Sequence, residues 1–283
     1  MTAIVGFFLV ILFVFGGYAI SGGSLPLIFK PWYEYVIILG SALGGLVVKT
    51  SPRTLKLVVA KAMGAFTTKL PGKEMYMESL KLIHDLAYLA RREGLLALES
   101  HVQNPSQSTI FSKYPLVSNK PQVLKFLTDN LKIVVVGGTN PSDLESLMDT
   151  DIETVTEENA TPQALINNVA DALPALGIVA AVLGIIKTMA SIAEGPEVVG
   201  HKVASALVGT FLGVLFAYGF VGPLATNIEM TNLEEKRLLE VFKTGILGIT
   251  RGMNPKLSAE YARRAIYDGL RPSFEELEEA LKG

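Results

Sequence analysis

Four stretches of the chain, residues 3–20, 35–48, 172–186 and 203–228, contain no Asp, Glu, Lys, Arg or His. A helix needs roughly 20 apolar residues to cross a bilayer core, with about 17 to 25 tolerated. The first stretch has 18 residues, and the fourth has 26, enough to tilt or to continue into water. The second has 14 and is flanked by Trp32, Tyr33 and Tyr35, the aromatic mix of a membrane interface, with Glu34 and Lys49 placed to snorkel. The third has 15 but continues past Lys187 through Thr-Met-Ala-Ser-Ile-Ala to Ala193. The pattern predicts spanning helices over residues 1–21, 34–49, 169–193 and 201–228, joined by short loops at 22–33 and 194–200. The first stretch lacks a basic start and exceeds the roughly 7–15-residue apolar core of a signal peptide, so it reads as a span.

Lysine and arginine orient the spans. Of the 25 in the chain, 22 fall in residues 49–171 and 229–283, and the two short hairpins, residues 21–34 and 187–202, hold the other three. Lys49, Arg53, Lys56, Lys61, Lys236, Arg237 and Lys243 repeat this bias close to the helix ends. Basic residues gather on the cytoplasmic side, so both termini and the large segments at 50–168 and 229–283 are expected there.

Those inner segments carry helical punctuation. Pro52 opens an amphipathic run to Lys69, closed by Leu70-Pro71-Gly72. Residues 74–102 form a long helical pattern broken by Asn104-Pro105, and residues 121–136 form another, stopped by Gly137-Gly138. Ile133 to Val136 alone has the composition of a buried strand. Ser142-x-x-Glu145 and Ser273-x-x-Glu276 read as capping boxes. Thr161-Pro162 reads as an N-cap and first helical position leading into the third span. On the long helix Glu74, Glu78, Lys81, Asp85, Arg92 and Glu99 share a stripe about 60° wide, while Arg91 falls roughly 80° away, between Leu80 and Leu95. Either Arg91 is buried with a partner, or Gly94 breaks the helix and re-aims it, or the side chain snorkels at the edge of the apolar face. The fold class is therefore an all-α integral membrane protein: four spans, a large helical cytoplasmic domain between the second and third, and a helical cytoplasmic tail.

Composition narrows the function. The chain is 49% hydrophobic and 18% charged, against about 25% charged in a typical soluble domain. Net charge is −2, which gives no basic field for nucleic acid. Without cysteine there is no disulfide, thiolate nucleophile or cysteine metal site. No phosphate-binding, serine-hydrolase or metalloprotease motif occurs, and His84, His101 and His201 lack ligand spacing, so the chain reads as a non-enzyme without cofactor. No carboxylate or histidine, the usual proton carriers in a membrane, lies inside the apolar stretches; Asp171 only borders the third. The third and fourth spans are rich in small or kinking residues: Pro174, Gly177, Gly184, Gly209, Gly213 and Pro223 among them. Two readings stand: close helix packing within the chain, or spans that surround a partner helix supplying the ionisable group.

A family resemblance separates these readings. Residues 206–215, Ala-Leu-Val-Gly-Thr-Phe-Leu-Gly-Val-Leu, followed after seven residues by Pro223, resemble the signature of the MotA/PomA stator subunits of the bacterial flagellar motor. The run from Asp171 through Pro174 to Gly184 resembles the family's third membrane helix, and Phe15-Gly-Gly-Tyr18 with Gly22-Gly23-Ser24 resembles its first hairpin. Glu74-Met-Tyr-Met77 and the segment from Arg271-Pro-Ser-Phe to Glu279 resemble its cytoplasmic parts, so the likeness runs nearly end to end. ExbB and TolQ share the superfamily but order their spans differently; an ExbB/TolQ-like energiser of an envelope protein is the alternative.

The resemblance implies a multi-pass subunit of the bacterial inner membrane, in contact with lipid and self-associated in a ring of five. The ring surrounds a MotB-type partner that brings the ion-carrying aspartate, and ion flow turns it against the rotor protein FliG. Arg91 and Glu99 match the family's torque pair in an Arg-x-x-Gly-x-x-x-x-Glu stretch, with Arg92 beside them. Pro174 and Pro223 match the prolines near the ion path, Thr210 the threonine facing the partner's carboxylate, and Tyr218 another fourth-helix residue. Sodium-driven members carry a threonine seven residues after the third-helix proline, where this chain has Ala181, so the proton is the expected coupling ion.

Overall fold

A computed structural model describes residues 2–68 and 70–282. In chain order the helices are α1 Thr2–Ile20, α2 Leu25–Phe29, α3 Trp32–Lys49, α4 Pro52–Thr67, α5 Lys73–Glu93, α6 Glu99–Gln103, α7 Pro115–Ser118 and α8 Pro121–Val136. There follow α9 Pro141–Met189, α10 Pro196–Leu215, α11 Gly222–Thr250, α12 Pro255–Arg264 and α13 Phe274–Ala280. A π-helical turn, Phe216–Val221, lies between α10 and α11. No strand occurs among the described residues. Four helical stretches are long and apolar enough to cross a membrane: α1, α3, α9, and the run Pro196–Thr250.

The chain divides into two compact units. The first holds residues 1–68 and 158–231, and with them the four apolar stretches. Ile38 and Ala42 of α3 pack with Leu173 and Ala180 of α9 and Val208 and Leu212 of α10. A second cluster joins Leu46, Val58, Ile166, Ala225 and Ile228. Helix α1 buries none of its length, and Ile4, Phe8, Leu12 and Phe13 stand exposed, as a lipid-facing helix requires. The second unit, residues 69–157 and 232–283, is built around α5. Tyr76, Leu80, Ile83 and Leu86 form the buried face of α5 and pack with Leu127, Leu131, Leu144 and Phe242.

The local signals mostly act as chemistry requires. Ser51 accepts a hydrogen bond from the Thr54 amide and Pro52 fills the first position of α4. Gly137 and Gly138, both at positive φ, stop α8. The Ser273/Glu276 capping box has both of its hydrogen bonds. Four expectations need correction. Residues 133–136 are helical, the last turn of α8, because the 3.6-residue period of residues 121–136 outweighs a short β-branched run. Asn140, not Ser142, caps α9: its Oδ1 accepts from the Ser142 amide at 2.7 Å, and Pro141 follows it. Thr161-Pro162 starts nothing, since α9 runs through both Pro162 and Pro174; proline removes one amide bond without stopping a helix whose other turns are packed. The pattern at 74–102 is cut at Gly94, whose φ of +87° no helix accommodates, and it resumes as a 3₁₀ turn and α6. The loop at 22–33 contains α2, and 194–200 includes the first turn of α10. Helix α4 ends at Thr67; Lys69, its expected end, lies outside the described residues.

Candidate functional site

In the first unit the central feature is the seam between α9 and α10. A Cβ on Gly177 would lie 2.7 Å from the Gly209 carbonyl oxygen and 3.0 Å from the Gly213 Cα. One on Gly213 would lie 2.6 Å from the Leu173 carbonyl oxygen. The two helices therefore touch backbone to backbone, and the small residues of the third and fourth spans are used within the chain.

The expected residues occupy different sides of this seam. Thr210 and Pro174 are half-buried, Pro223 is exposed and Tyr218 is 73% exposed. Tyr218 and Pro223 line one cavity of about 310 Å³ with Phe7 and Val10 of α1. Pro223 explains the π turn before it: its ring would crowd the carbonyl four residues back, and widening the turn relieves that contact. Ala181 does not face outward. It is buried, its backbone nitrogen 3.0 Å from where a Gly209 Cβ would stand, because the glycine lets α10 cover it.

Glu34 departs most from expectation. It does not snorkel: it is fully buried, and neither carboxyl oxygen has a hydrogen-bond partner. A Cβ on Gly184 would stand 3.2 Å from Oε1, and one on Gly209 would stand 2.6 Å from Oε2. Two glycines thus open the recess that one carboxyl fills. The signal was present in the sequence. Glu34, Ile38, Ala42 and Leu46 recur every four residues and are the buried residues of α3. Above the recess, a cavity of about 480 Å³ is lined by Tyr33, Gly184, Lys187, His201, Lys202 and Ser205.

In the second unit Arg91, Arg92 and Glu99 are all exposed, which removes the buried-arginine reading. Arg91 and Arg92 end α5, where Gly94 breaks it, and both line a cavity of about 640 Å³ with His84, Tyr88 and Lys256. Arg92 stacks over the Tyr88 ring at 5.7 Å and pairs with Glu93. Glu99 opens α6 and accepts from Gln103 Nε2 at 2.8 Å. No hydrogen bond or ion pair joins either arginine to Glu99 among the described residues. Nearby, the hydrogen bond from His84 and that from the Tyr114 hydroxyl (2.9 Å) hold the Asp85 carboxyl below its ordinary range, against the effect of burial. No group of three or more His, Asp or Glu that could hold a metal occurs among the described residues.

Comparison with known proteins covers the whole chain. Residues 4–94 match the family description Motility protein A N-terminal, and residues 119–240 match the MotA/TolQ/ExbB proton channel family. The chain is 36% identical over 282 residues to Motility protein A of Salmonella typhimurium, covering all of this chain and 95% of that protein. It is 34% identical to Chemotaxis protein LafT of Vibrio parahaemolyticus, covering 99% of this chain and 98% of that one. The fold is similar to that of the flagellar MotAB stator complex of Bacillus subtilis: TM-score 0.78, 22% identity, 99% of each chain covered. It is also similar to C. jejuni MotAB: TM-score 0.79, 21% identity, 96% and 98% covered.

Proposed function

The chain belongs to the motility protein A family of flagellar stator subunits, and from that premise we propose how its residues do this work. The full-length likeness favours the flagellar reading over an ExbB/TolQ-like energiser. We infer that the chain forms a ring of five around a MotB-type partner, in the inner membrane, with both termini in the cytoplasm. The partner brings the aspartate that carries the proton, and no enzyme chemistry or cofactor takes part.

The observation that carries this reading is the state of the α9–α10 pair. The helices close on each other through Gly177, Gly209 and Gly213, yet leave Thr210 half-exposed and Tyr218 and Pro223 exposed. These positions suit a partner helix. The Thr210 hydroxyl can donate to and accept from a water or a carboxylate, which a proton needs in order to hop. Sodium needs several oxygen ligands at once, and the methyl of the buried Ala181 supplies none. Pro174 leaves the carbonyl of Ala170 without its helical amide partner, a free acceptor within the span. In the cytoplasm, exposed Arg91, Arg92 and Glu99 present charge to FliG, where screened contacts act additively rather than through one anchor.

The test is proton flux into lipid vesicles holding this chain with and without a MotB-type partner. Flux that requires the partner supports the reading, and flux from the chain alone overturns it. Swimming speed measured against external sodium at fixed pH should be flat; a saturating rise would make the coupling ion sodium.

A further inference from the structure

Glu34 has no place in the account given so far, and its surroundings are built around it. Gly184 on α9 and Gly209 on α10 are the positions where any side chain would collide with its carboxyl or with the opposite helix. The carboxyl is fully buried and both oxygens lack a hydrogen-bond donor among the described residues. An ionised carboxylate buried in this way is strongly disfavoured unless it is paired. Lys187, one turn beyond Gly184, lines the cavity beside it, but its Nζ lies over the Tyr33 ring, 4.8 Å from the centroid. Lys202 is engaged by Glu194 at 3.1 Å. His201 and Lys30 line the cavity above, and the Tyr33 hydroxyl lies 3.3 Å from Ser205 Oγ. So no donor or ion pair among the described residues offsets the burial of this carboxyl. Gly184 is shared by the recess and the cavity, and Gly209 by the recess and the seam that carries Thr210.

We propose that Glu34 is a proton-carrying group of this chain itself, taking a proton from the cavity lined by Lys30, Tyr33, Lys187 and His201 and passing it toward the α9–α10 seam. One proton adds to a carboxylate oxygen from water in the cavity, giving the neutral acid. The same proton then leaves to a water or carboxylate at the seam, and the carboxylate is restored. This inference rests on the proton-channel reading above.

Two measurements test it. Infrared spectra of the full-length chain in lipid vesicles, with and without carbon-13 glutamate, read the carbonyl stretch of a protonated glutamic acid. A glutamate-shifted band at neutral pH that disappears on alkalinisation supports the proposal, and its absence overturns it. In vesicles holding the chain with its MotB-type partner, Glu34→Gln keeps shape and removes the titratable proton. It should abolish the infrared band and lower proton flux about a hundredfold or more, the range expected for a lost proton-transfer group. Glu34→Asp should restore part of the flux. Undiminished flux in Glu34→Gln overturns the proposal. If that variant fails to assemble with the partner, the infrared band of the native chain decides alone. A native complex without any flux would sink the stator reading instead, and the band would still report on Glu34.

Discussion

At Gly177, a single methyl would meet the Gly209 carbonyl oxygen at 2.7 Å and the Gly213 Cα at 3.0 Å. Both are backbone atoms, which move only if the helices part. Gly177→Ala is therefore expected to weaken the first unit by about 1–3 kcal/mol, the cost of overpacking, seen as a lower melting temperature in detergent. Arg91 and Glu99 should behave in the opposite way. Both are exposed, so reversing their charges should leave the melting temperature unchanged while motility falls. Single neutralisations should lower it partly, and double reversal far more. A loss of folded protein on reversing Arg91 would show that its role is structural. The helical wheel set Arg91 close to Leu80 on the apolar face and left its burial open, and the side chain is exposed because it lies in the last turn of α5, where Gly94 ends the helix. Glu34 was legible from its four-residue spacing with Ile38, Ala42 and Leu46. The aromatic residues around it suggested an interfacial position, and a one-dimensional pattern does not show that two glycines on other helices leave room for a carboxyl.

The elements themselves were largely readable, because the spans carry long uncharged stretches, the other long helices carry an apolar period, and most carry their own stop. What escaped was continuity. Pro162 and Pro174 both lie inside α9, and nothing local distinguishes a proline that begins a helix from one that a packed helix absorbs. The π turn at Phe216–Val221 has the same origin in Pro223. Pro174→Ala restores an amide donor to Ala170, so the variant should still insert and co-purify with the partner while proton flux falls; failure to assemble would make the proline a structural feature. Helix α12 offers a cleaner electrostatic test. Arg263 donates two hydrogen bonds to Glu260, at 2.7 and 2.9 Å, and this pairing holds the Glu260 carboxyl below its ordinary range. A carboxyl lowered in the folded state stabilises it above the unfolded value and ceases to do so as pH falls through the folded one. Melting temperature should thus drop on acidification below about pH 4, where unfolded glutamate titrates. Glu260→Gln should flatten that drop.

For the whole molecule, the lysine and arginine count gives an expected orientation, with the two short hairpins outside and the rest of the polar chain inside. Because the chain has no cysteine, single substitutions report without background. Ser24→Cys and Glu197→Cys should react with an impermeant thiol reagent in intact cells, and Ser106→Cys and Glu278→Cys only after lysis. Labelling in the reverse order would invert the topology. The glycine seam has a further consequence, in the arithmetic of the genetic code. A glycine codon changed at its first or second base gives a residue with a Cβ or a stop. At positions 177, 184, 209 and 213 that Cβ would come within 3.0 Å of a neighbouring heavy atom. On α1, where Ile4, Phe8 and Leu12 touch no core, exchange among apolar residues leaves packing unchanged. Random point mutation should therefore inactivate this protein through a few glycine codons far more often than through its most hydrophobic helix, and a library sorted by motility would draw the seam as a row of intolerant sites.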